Sequence, residues 1–356
     1  MEFYFPLPDI IKLRTLFENS SNILIISHTN PDGDAIGSVK AIKNYLKSKG
    51  LDAKIAVPND CPDYLQFMDS TGEIMVWRRN SRKVKEAVAK CDLMILADFN
   101  NLSRVDEMES CLKNSSAVKV LIDHHPSPQE NTFDLIFSET TLSSTCEALY
   151  WIFLGLEGER QKKGFAESNQ SLDLATCESL YVGLITDTNN YSNSAVSSTF
   201  RMASDLLALG VDKEKIQHLV FGGFSENRMR LMGHLLLNKI VLLPQFGAGY
   251  ILLSASEQSK FGFTDGDSEG FVNMPLNIKG INISALFTEN DSHIRVSLRS
   301  VNDFSVNSLA QRFYNGGGHE RAAGGKLFIP LRDVPEYFES SLMNFLKEGR
   351  SDENDK

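Results

Sequence analysis

No stretch of the 356-residue sequence approaches the ~20 consecutive apolar residues that a membrane-spanning helix needs. Cysteine is scarce as well. The five thiols, Cys61, Cys91, Cys111, Cys146 and Cys177, are odd in number, scattered and never in C-x-x-C spacing. That excludes a disulfide framework and a thiolate-held metal, and it points to a reducing compartment. Positive charge is in deficit: 36 Lys and Arg stand against 46 Asp and Glu, for a net charge of −10. A broad electropositive surface for long nucleic acid relies on many Lys/Arg–phosphate contacts and is not expected here. The start, Met1-Glu2-Phe3-Tyr4, lacks the basic region of a signal peptide, so a cytoplasmic location is the expectation. No Gly-x-Gly-x-x-Gly follows the first strand pattern, which argues against a dinucleotide-dependent oxidoreductase. Repeats and low-complexity tracts are absent.

What remains is an ordinary globular composition, 42% hydrophobic and 23% charged, with length for two cores. The first half alternates strand and helix patterns. Strands are predicted at 23–26, 53–57, 93–96 and 118–122, with a short edge strand at 135–137. Helices are predicted over 10–17, 33–49, 83–90, 143–153, 172–186 and 197–209. This alternation predicts an α/β fold with a doubly wound, mainly parallel sheet over residues 1–212. A polar loop is expected at 157–170. A long helical linker, 213–238, leads to a smaller α/β domain over 239–346. There a hairpin about Gly247-Ala248-Gly249, strands at 281–287 and 294–298 and a helix at 306–314 are expected. Residues 347–356 read as a polar, frayed tail.

Three of the predicted strands deliver Asp or His at their C-terminal ends. The first runs into Ser27-His28-Thr29-Asn30-Pro31-Asp32-Gly33-Asp34, the second into Asp98, the third into Asp123-His124-His125. In an open parallel sheet those ends converge on one crevice. Carboxylates and imidazoles gathered there repel and desolvate one another unless a cation neutralises them. A metal site, in binuclear form, is the simplest account, and a mixed His/Asp set without thiolates suits Mn(II). Each element alone has a plainer reading. Asn30-Pro31-Asp32-Gly33 is a turn signal, Asp98 could cap a helix, and Asp187 could be a turn residue after an apolar helix. Gly33 is expected to permit a tight backbone between Asp32 and Asp34.

These motifs resemble the DHH phosphoesterase family. His28 to Asp34 is similar to its first motif, Asp98 with Asn-Leu-Ser-Arg to its second, and Asp123-His124-His125-Pro126 to the signature that names it. Ser143-Ser144-Thr145-Cys146-Glu147 and residues 183–190 resemble the segments that follow. Gly316-Gly317-Gly318-His319-Glu320-Arg321 resembles the Gly-Gly-Gly-His motif of the family's associated substrate domain. The likeness covers most of residues 20–330. It implies one cation held by His28, Asp32 and Asp98, and a second held by Asp34, Asp98, His124 and Asp187, with Asp98 as the bridge. Asp123 would orient a histidine through its ring N–H. His125 would contact the scissile phosphate or assist the leaving group, so that Asp98, Asp123 and His125 form the catalytic set.

On the same resemblance, Gly316, Gly317 and Gly318 would let backbone N–H groups approach an anion, with His319 and Arg321 as donors. Arg299, Ser300 and Arg104 are further candidates for phosphate. Two divalent cations, Mn(II) foremost, would activate the attacking water. The two-domain layout is similar to a branch that degrades very short RNA and dephosphorylates adenosine 3′,5′-bisphosphate. The expected partners are therefore short oligoribonucleotides or a nucleotide bisphosphate, with no membrane and no long duplex, and the resemblance suggests a homodimer. The alternatives are a cyclic or linear dinucleotide phosphodiesterase, an exopolyphosphatase or pyrophosphatase, and a non-catalytic nucleotide-binding sensor.

Overall fold

Six aliphatic runs pair as one parallel sheet: β1 (Ile23–Ile26), β2 (Ala53–Val57), β3 (Ile74–Val76), β4 (Leu93–Ala97), β5 (Val118–Asp123) and β6 (Leu135–Ser138). The structure, a computed structural model, describes residues 4–158, 172–264, 266–301 and 304–354. Its contacts divide the chain into two units, Met1–Gly223 and Phe224–Lys356. The sheet belongs to the first, in the order β3-β2-β1-β4-β5-β6. The chain winds outward from β1 to β3 and then crosses back to β4. The order reverses between β1 and β4, and such a switch point opens a crevice at the carboxyl ends of the two strands.

Alternation of side chains sorts the strands onto two cores. Ile23 and Ile25 face the layer containing α1 (Leu7–Asn19), α2 (Gly33–Ser48), α5 (Thr145–Leu156) and α6 (Leu174–Asp187). Leu24 and Ile26 face the layer with α3 (Trp77–Lys90) and α4 (Glu109–Lys113). α7 (Ser197–Ala208) and α8 (Lys213–Phe221) complete the unit. Both faces are covered, which is why the strands read as continuous apolar runs. The strand β3, which is three residues long, and α4 carry too short a pattern to read from sequence, and the helix expected at 83–90 begins at Trp77 with a break in helical geometry at Asn80. The loop expected at 157–170 falls, after its first two residues, outside the described residues.

α2 and α6 approach closely through glycine. A Cβ on Gly37 would lie 2.7 Å from the Ser179 carbonyl oxygen and 2.9 Å from the Gly183 nitrogen. A Cβ on Gly183 would lie 2.2 Å from Cys146 Sγ and 2.6 Å from Asp34 Oδ1. α2 and α6 therefore meet backbone to backbone at Gly37, and the Gly183 backbone packs against the side chains of Cys146 and Asp34.

The second unit holds α9 (Glu226–Asn238), then strands β7 (Ile240–Leu243) and β8 (Ala248–Leu253), α10 (Ala255–Lys260), and strands β9 (Ile283–Glu289) and β10 (Ile294–Ser300). α11 (Val306–Phe313), β11 (Gly317–His319), β12 (Ala322–Leu327) and α12 (Val334–Asn354) follow. The strands form a mixed sheet in the order β11-β12-β10-β9-β8-β7. The helical linker expected over 213–238 is two helices, because Gly222 and Gly223 interrupt it and Ser225 caps α9 with a bond from Arg228 N at 3.0 Å. The tail expected to fray from 347 continues α12 to Asn354.

Glu257 anchors the start of α10. Ser254 Oγ donates to its Oε2 at 2.7 Å, and His234 Nε2 and Lys239 Nζ lie 3.0 Å from its Oε1. Burial alone would push this carboxyl up, but the bonds from His234, Ser254 and Lys239 outweigh it and hold the pKa at about 2, below the ordinary 4.5. A depressed carboxylate contributes stability above its unfolded pKa and loses it as pH falls through the folded one. Glu257→Gln should thus cost about 1 kcal/mol at neutral pH after solvent screening. The difference from wild type, followed by urea unfolding, should close as pH falls from about 4.5 to about 2.

Gly37→Ala is expected to destabilise by about 1–2 kcal/mol, since overpacking against a facing backbone exceeds the ~1 kcal/mol gain in helix propensity. Gly233→Ala, in α9 with nothing within 4 Å of the new Cβ, should instead stabilise by about 0.5–1 kcal/mol. Thermal unfolding of both variants checks the contrast.

Candidate metal centre

The site grows from the carboxyl ends of β1, β4 and β5, on both sides of the switch point. After β1, Ser27 Oγ donates to the Ala97 carbonyl at 2.8 Å and ties the two strand ends together. Asp32 then caps α2, its Oδ1 accepting from Asp34 N at 3.1 Å and Ala35 N at 3.0 Å. The turn expected at residues 30–33 is instead the capped start of α2, and Asp32 at the same time faces His28 and Asp98. Gly33 serves a different purpose from the one expected. It has helical geometry within α2, and its missing Cβ leaves room for the Thr186 side chain, 2.3 Å from where that atom would be. This contact sets Asp34 beside Asp187, the last residue of α6.

Asp98 follows β4 with φ of 69°, in the left-handed region. A non-glycine residue is disfavoured there, and such strain concentrates at functional positions. Its N–H is fixed to the Ile122 carbonyl at 3.0 Å. β5 ends in Asp123, and His124 and His125 follow directly.

Three groups drawn wholly from the first unit have their potential ligand atoms within 4.8 Å of one another: His28, Asp32 and Asp98; Asp34, His124 and Asp187; Asp98, Asp123 and His125. His28 Nε2 lies 3.4 Å from Asp98 Oδ2, and its Nδ1 is turned to the Thr29 carbonyl at 2.8 Å. His124 Nε2 lies 3.5 Å from Asp187 Oδ2, 3.8 Å from Asp98 Oδ1 and 4.0 Å from Asp34 Oδ2. His125 Nδ1 is 2.7 Å from Asp123 Oδ1, the histidine–carboxylate pairing expected for Asp123. Asp98 belongs to two groups and also faces His124, so the arrangement can hold metal ions around a shared carboxylate.

Charge in this pocket is strained without a cation. Burial, reinforced by Asp98 and Asp187, pushes the Asp34 carboxyl well above its usual range. Burial and the Asp32 charge do the same to Asp98. Burial draws His28 below its ordinary value, against the pull of Asp32. Burial also lowers His124, but Asp187, Asp34 and Asp123 outweigh it and the net movement is upward. His125 moves up for a similar reason, through its bond to Asp123. Asp123 Oδ2 is buried with no hydrogen-bond partner. Crowded carboxylates, oriented imidazoles and an orphaned oxygen are the environment that hard-to-borderline divalent cations fit.

The start of α5 supplies donors that the sequence reading did not assign. Thr145 N and Cys146 N donate to the two oxygens of Asp34 at 2.6 and 2.9 Å, and Thr145 Oγ1 donates to Asp98 Oδ1 at 2.8 Å. Behind them, Ser144 caps α5, and Glu147 Oε2 accepts from Ser143 N, Ser143 Oγ and Thr199 Oγ1. The signal was present: Ser144-x-x-Glu147 has the spacing of a capping box. Asn59 was also missed. It holds the first motif by accepting from Thr29 Oγ1 at 3.0 Å and donating to Asn30 Oδ1 at 2.9 Å.

Of the phosphate candidates, exposed Arg104 lies in the first unit, and its carbonyl accepts from Thr29 N at 2.8 Å. The others share one end of the sheet in the second unit, where Arg299 and His319 each pair in register with Ala322. The Gly-Gly-Gly run forms an edge strand: a Cβ on Gly316 would lie 1.9 Å from the Gly324 carbonyl, and one on Gly318 2.5 Å from that of Ala322. These glycines are required by the closeness of β12. Ser300 Oγ donates to the Phe304 carbonyl at 2.6 Å, and the Arg321 carbonyl accepts from Ser300 N at 3.0 Å.

Residues 22–184 match the model of the DHH family, N-terminal domain, and residues 247–340 match the DHHA1 domain. The structure of an exopolyphosphatase-related protein from Bacteroides fragilis is 34% identical, with a TM-score of 0.87, over 96% of this chain and 97% of that one. The chain belongs to the DHH family. Among other members of the family, the bifunctional oligoribonuclease and PAP phosphatase NrnA of Bacillus subtilis is 27% identical over 90% of this chain and 93% of its own length. A probable NrnA of Streptococcus mutans is 29% identical over 91% and 95%. Among the described residues no helix is long and apolar enough to cross a membrane.

Thr145→Val keeps the backbone bond to Asp34 and removes the hydroxyl bond to Asp98. With a chelator present it should destabilise by about 1–2 kcal/mol, the cost of a buried acceptor losing its donor. Thr145→Ser should recover most of that in the same unfolding assay.

Proposed function

We propose that this chain hydrolyses short oligoribonucleotides to mononucleotides and removes the 3′-phosphate of adenosine 3′,5′-bisphosphate, using two divalent cations, Mn(II) foremost. As a DHH phosphoesterase the chain is a hydrolase of phosphoester bonds. The observation that supports the metal part of this reading is the place of Asp98, 3.4 Å from His28 Nε2 and 3.8 Å from His124 Nε2. The two NrnA relatives, whose names give both activities, align over nearly all of this chain.

His28, Asp32 and Asp98 would hold one cation, and Asp34, Asp98, His124 and Asp187 the other. Cations so held would supply water activation and neutralisation of phosphoryl charge. The remaining work falls to the protein. The backbone N–H groups of Thr145 and Cys146 fix the plane of the Asp34 carboxylate. Thr145 Oγ1 orients Asp98. Asp123 turns the His125 ring by accepting from Nδ1, leaving Nε2 to carry a proton toward the scissile phosphate or the leaving oxygen. Burial lowers the His125 pKa, but the bond to Asp123 outweighs it and the net movement is upward. Arg299, Ser300, Gly316, Gly317, Gly318, His319 and Arg321 are assigned to the substrate, with Arg104 on the first unit.

A second reading, hydrolysis of polyphosphate, draws on the description of the 34%-identical Bacteroides protein. A panel with Mn(II), comprising oligoribonucleotides, adenosine bisphosphate, cyclic dinucleotides and polyphosphate, separates the two. Turnover of polyphosphate alone would overturn the nucleotide reading.

Asp98→Asn should bind less metal and lose at least about 100-fold in kcat, because the amide carries no charge for either cation. Elemental analysis and rates on folded protein measure both, and near wild-type values would remove Asp98 from the site. In one-tube competition, oligomers of two to five nucleotides should be hydrolysed faster than 20-mers. Distal phosphates of a long strand gain little from a protein with a net charge of −10.

A further inference from the structure

One helix of this acidic chain is strongly basic. α3 carries Arg78, Arg79, Arg82, Lys83, Lys85 and Lys90 against a single acid, Glu86. Every one of these basic side chains is exposed. Arg79 pairs with Asp60, and Arg82 with Glu86 at 3.0 Å, while Arg78 and Lys83 have no carboxylate partner among the described residues. Their place in the element is electrostatically poor. Regular helix resumes after Asn80, whose Oδ1 accepts from Lys83 N at 3.0 Å, and the first turn holds no acid. Cations near a helix N-terminus oppose the helix dipole, and an anion is favoured there. Nothing in the packing of α3 calls for that arrangement.

Topology puts this cationic turn beside the metal centre. All strands of the sheet are parallel, so the start of α3, directly after β3, lies on the edge that carries His28, Asp32, Asp98 and Asp123. Two strand spacings, about 10 Å, separate β3 from β1. The loop after β2 fills that interval and touches both sides. The Pro58 carbonyl accepts from Arg78 N at 3.1 Å, Asp60 pairs with Arg79, and Asn59 bonds to Thr29 and Asn30 of the first motif. Along the edge the order is cationic turn, amide-lined loop, His/Asp cluster.

We propose that the start of α3, through Arg78 and Lys83, binds the backbone phosphates of a short RNA beyond the bond being cleaved. This rests on the oligoribonucleotide reading above. α3 runs back along its layer away from this edge, so only its first turns are within reach and the surface serves a few nucleotides, not a long strand.

The test uses the full chain with Mn(II) and the double variant Arg78→Gln/Lys83→Gln, with unfolding curves to confirm its fold. For a penta-adenylate the variant should lose about 3- to 10-fold in kcat/KM. The slope of log kcat/KM against log salt should become shallower by about 1.4, for two phosphate contacts on a single strand. For the dinucleotide, kcat/KM should stay within about two-fold, because one phosphate is fully engaged at the metals. Equal losses on both substrates, or no loss on the pentamer, overturn the proposal. If the wild type leaves both RNAs intact, the oligoribonucleotide reading falls instead. Fluorescence anisotropy of labelled penta-adenylate with Mn(II) then decides the α3 surface: an unchanged Kd in the variant overturns it, and a weakened one supports it.

Discussion

The carboxylate of Asp34 is clasped by two backbone N–H groups at the start of α5. A buried carboxylate is tolerable only with charge-assisted hydrogen bonds or a cation, and here the helix end provides the first. The clasp needs α2, α5 and α6 to meet at backbone distance, which Gly37 and Gly183 allow. Thr145 extends it to Asp98, and Gly33 against Thr186 extends it to Asp187. Carboxylates contributed by separate elements are thus brought into one dry pocket by helix–helix contact, while the sheet supplies the platform.

Such a pocket stores electrostatic energy. Burial and neighbouring carboxylates press both Asp34 and Asp98 toward protonation, and Asp98 adopts a left-handed backbone conformation that a non-glycine residue disfavours. Residues that break local rules are expected where function demands it. A bound cation would relieve that repulsion.

The strands and the chemistry of the first unit were legible because both speak in short-range patterns. Val118 to Ile122 is aliphatic apart from Lys119, and Asp123-His124-His125 interrupts it abruptly; neither depends on distant residues. The metal-site motifs could be assembled from sequence because a parallel sheet gathers strand ends. Long-range contacts were not legible. Gly33 looked like a turn glycine, and only the fold shows Thr186 against it. Gly316-Gly317-Gly318 was read for its approach to an anion, and the crowding of Gly316 and Gly318 by β12 depends on pairing that the sequence does not show. β3 is too short to show a period. The break at Gly222-Gly223 was hidden by helical spacing on both sides, and α12 escaped because a polar tail suggested fraying. The donors at Thr145 and Cys146 are backbone atoms, which no residue identity announces.

The clasp on Asp34 also spans sequence distance: its donors lie 111 and 112 residues further along the chain. During synthesis, the emerging N-terminal segment carries Asp34 and Asp98 before the Thr145 and Cys146 donors exist. Until α5 has been made and docked, these acids have no shared pocket and no reason to bind a cation selectively. Ordering of the centre is therefore a late, non-local event of the kind that topology makes slow. Ion capture then acts as a seal on the finished domain, because only the folded chain offers the ligands together.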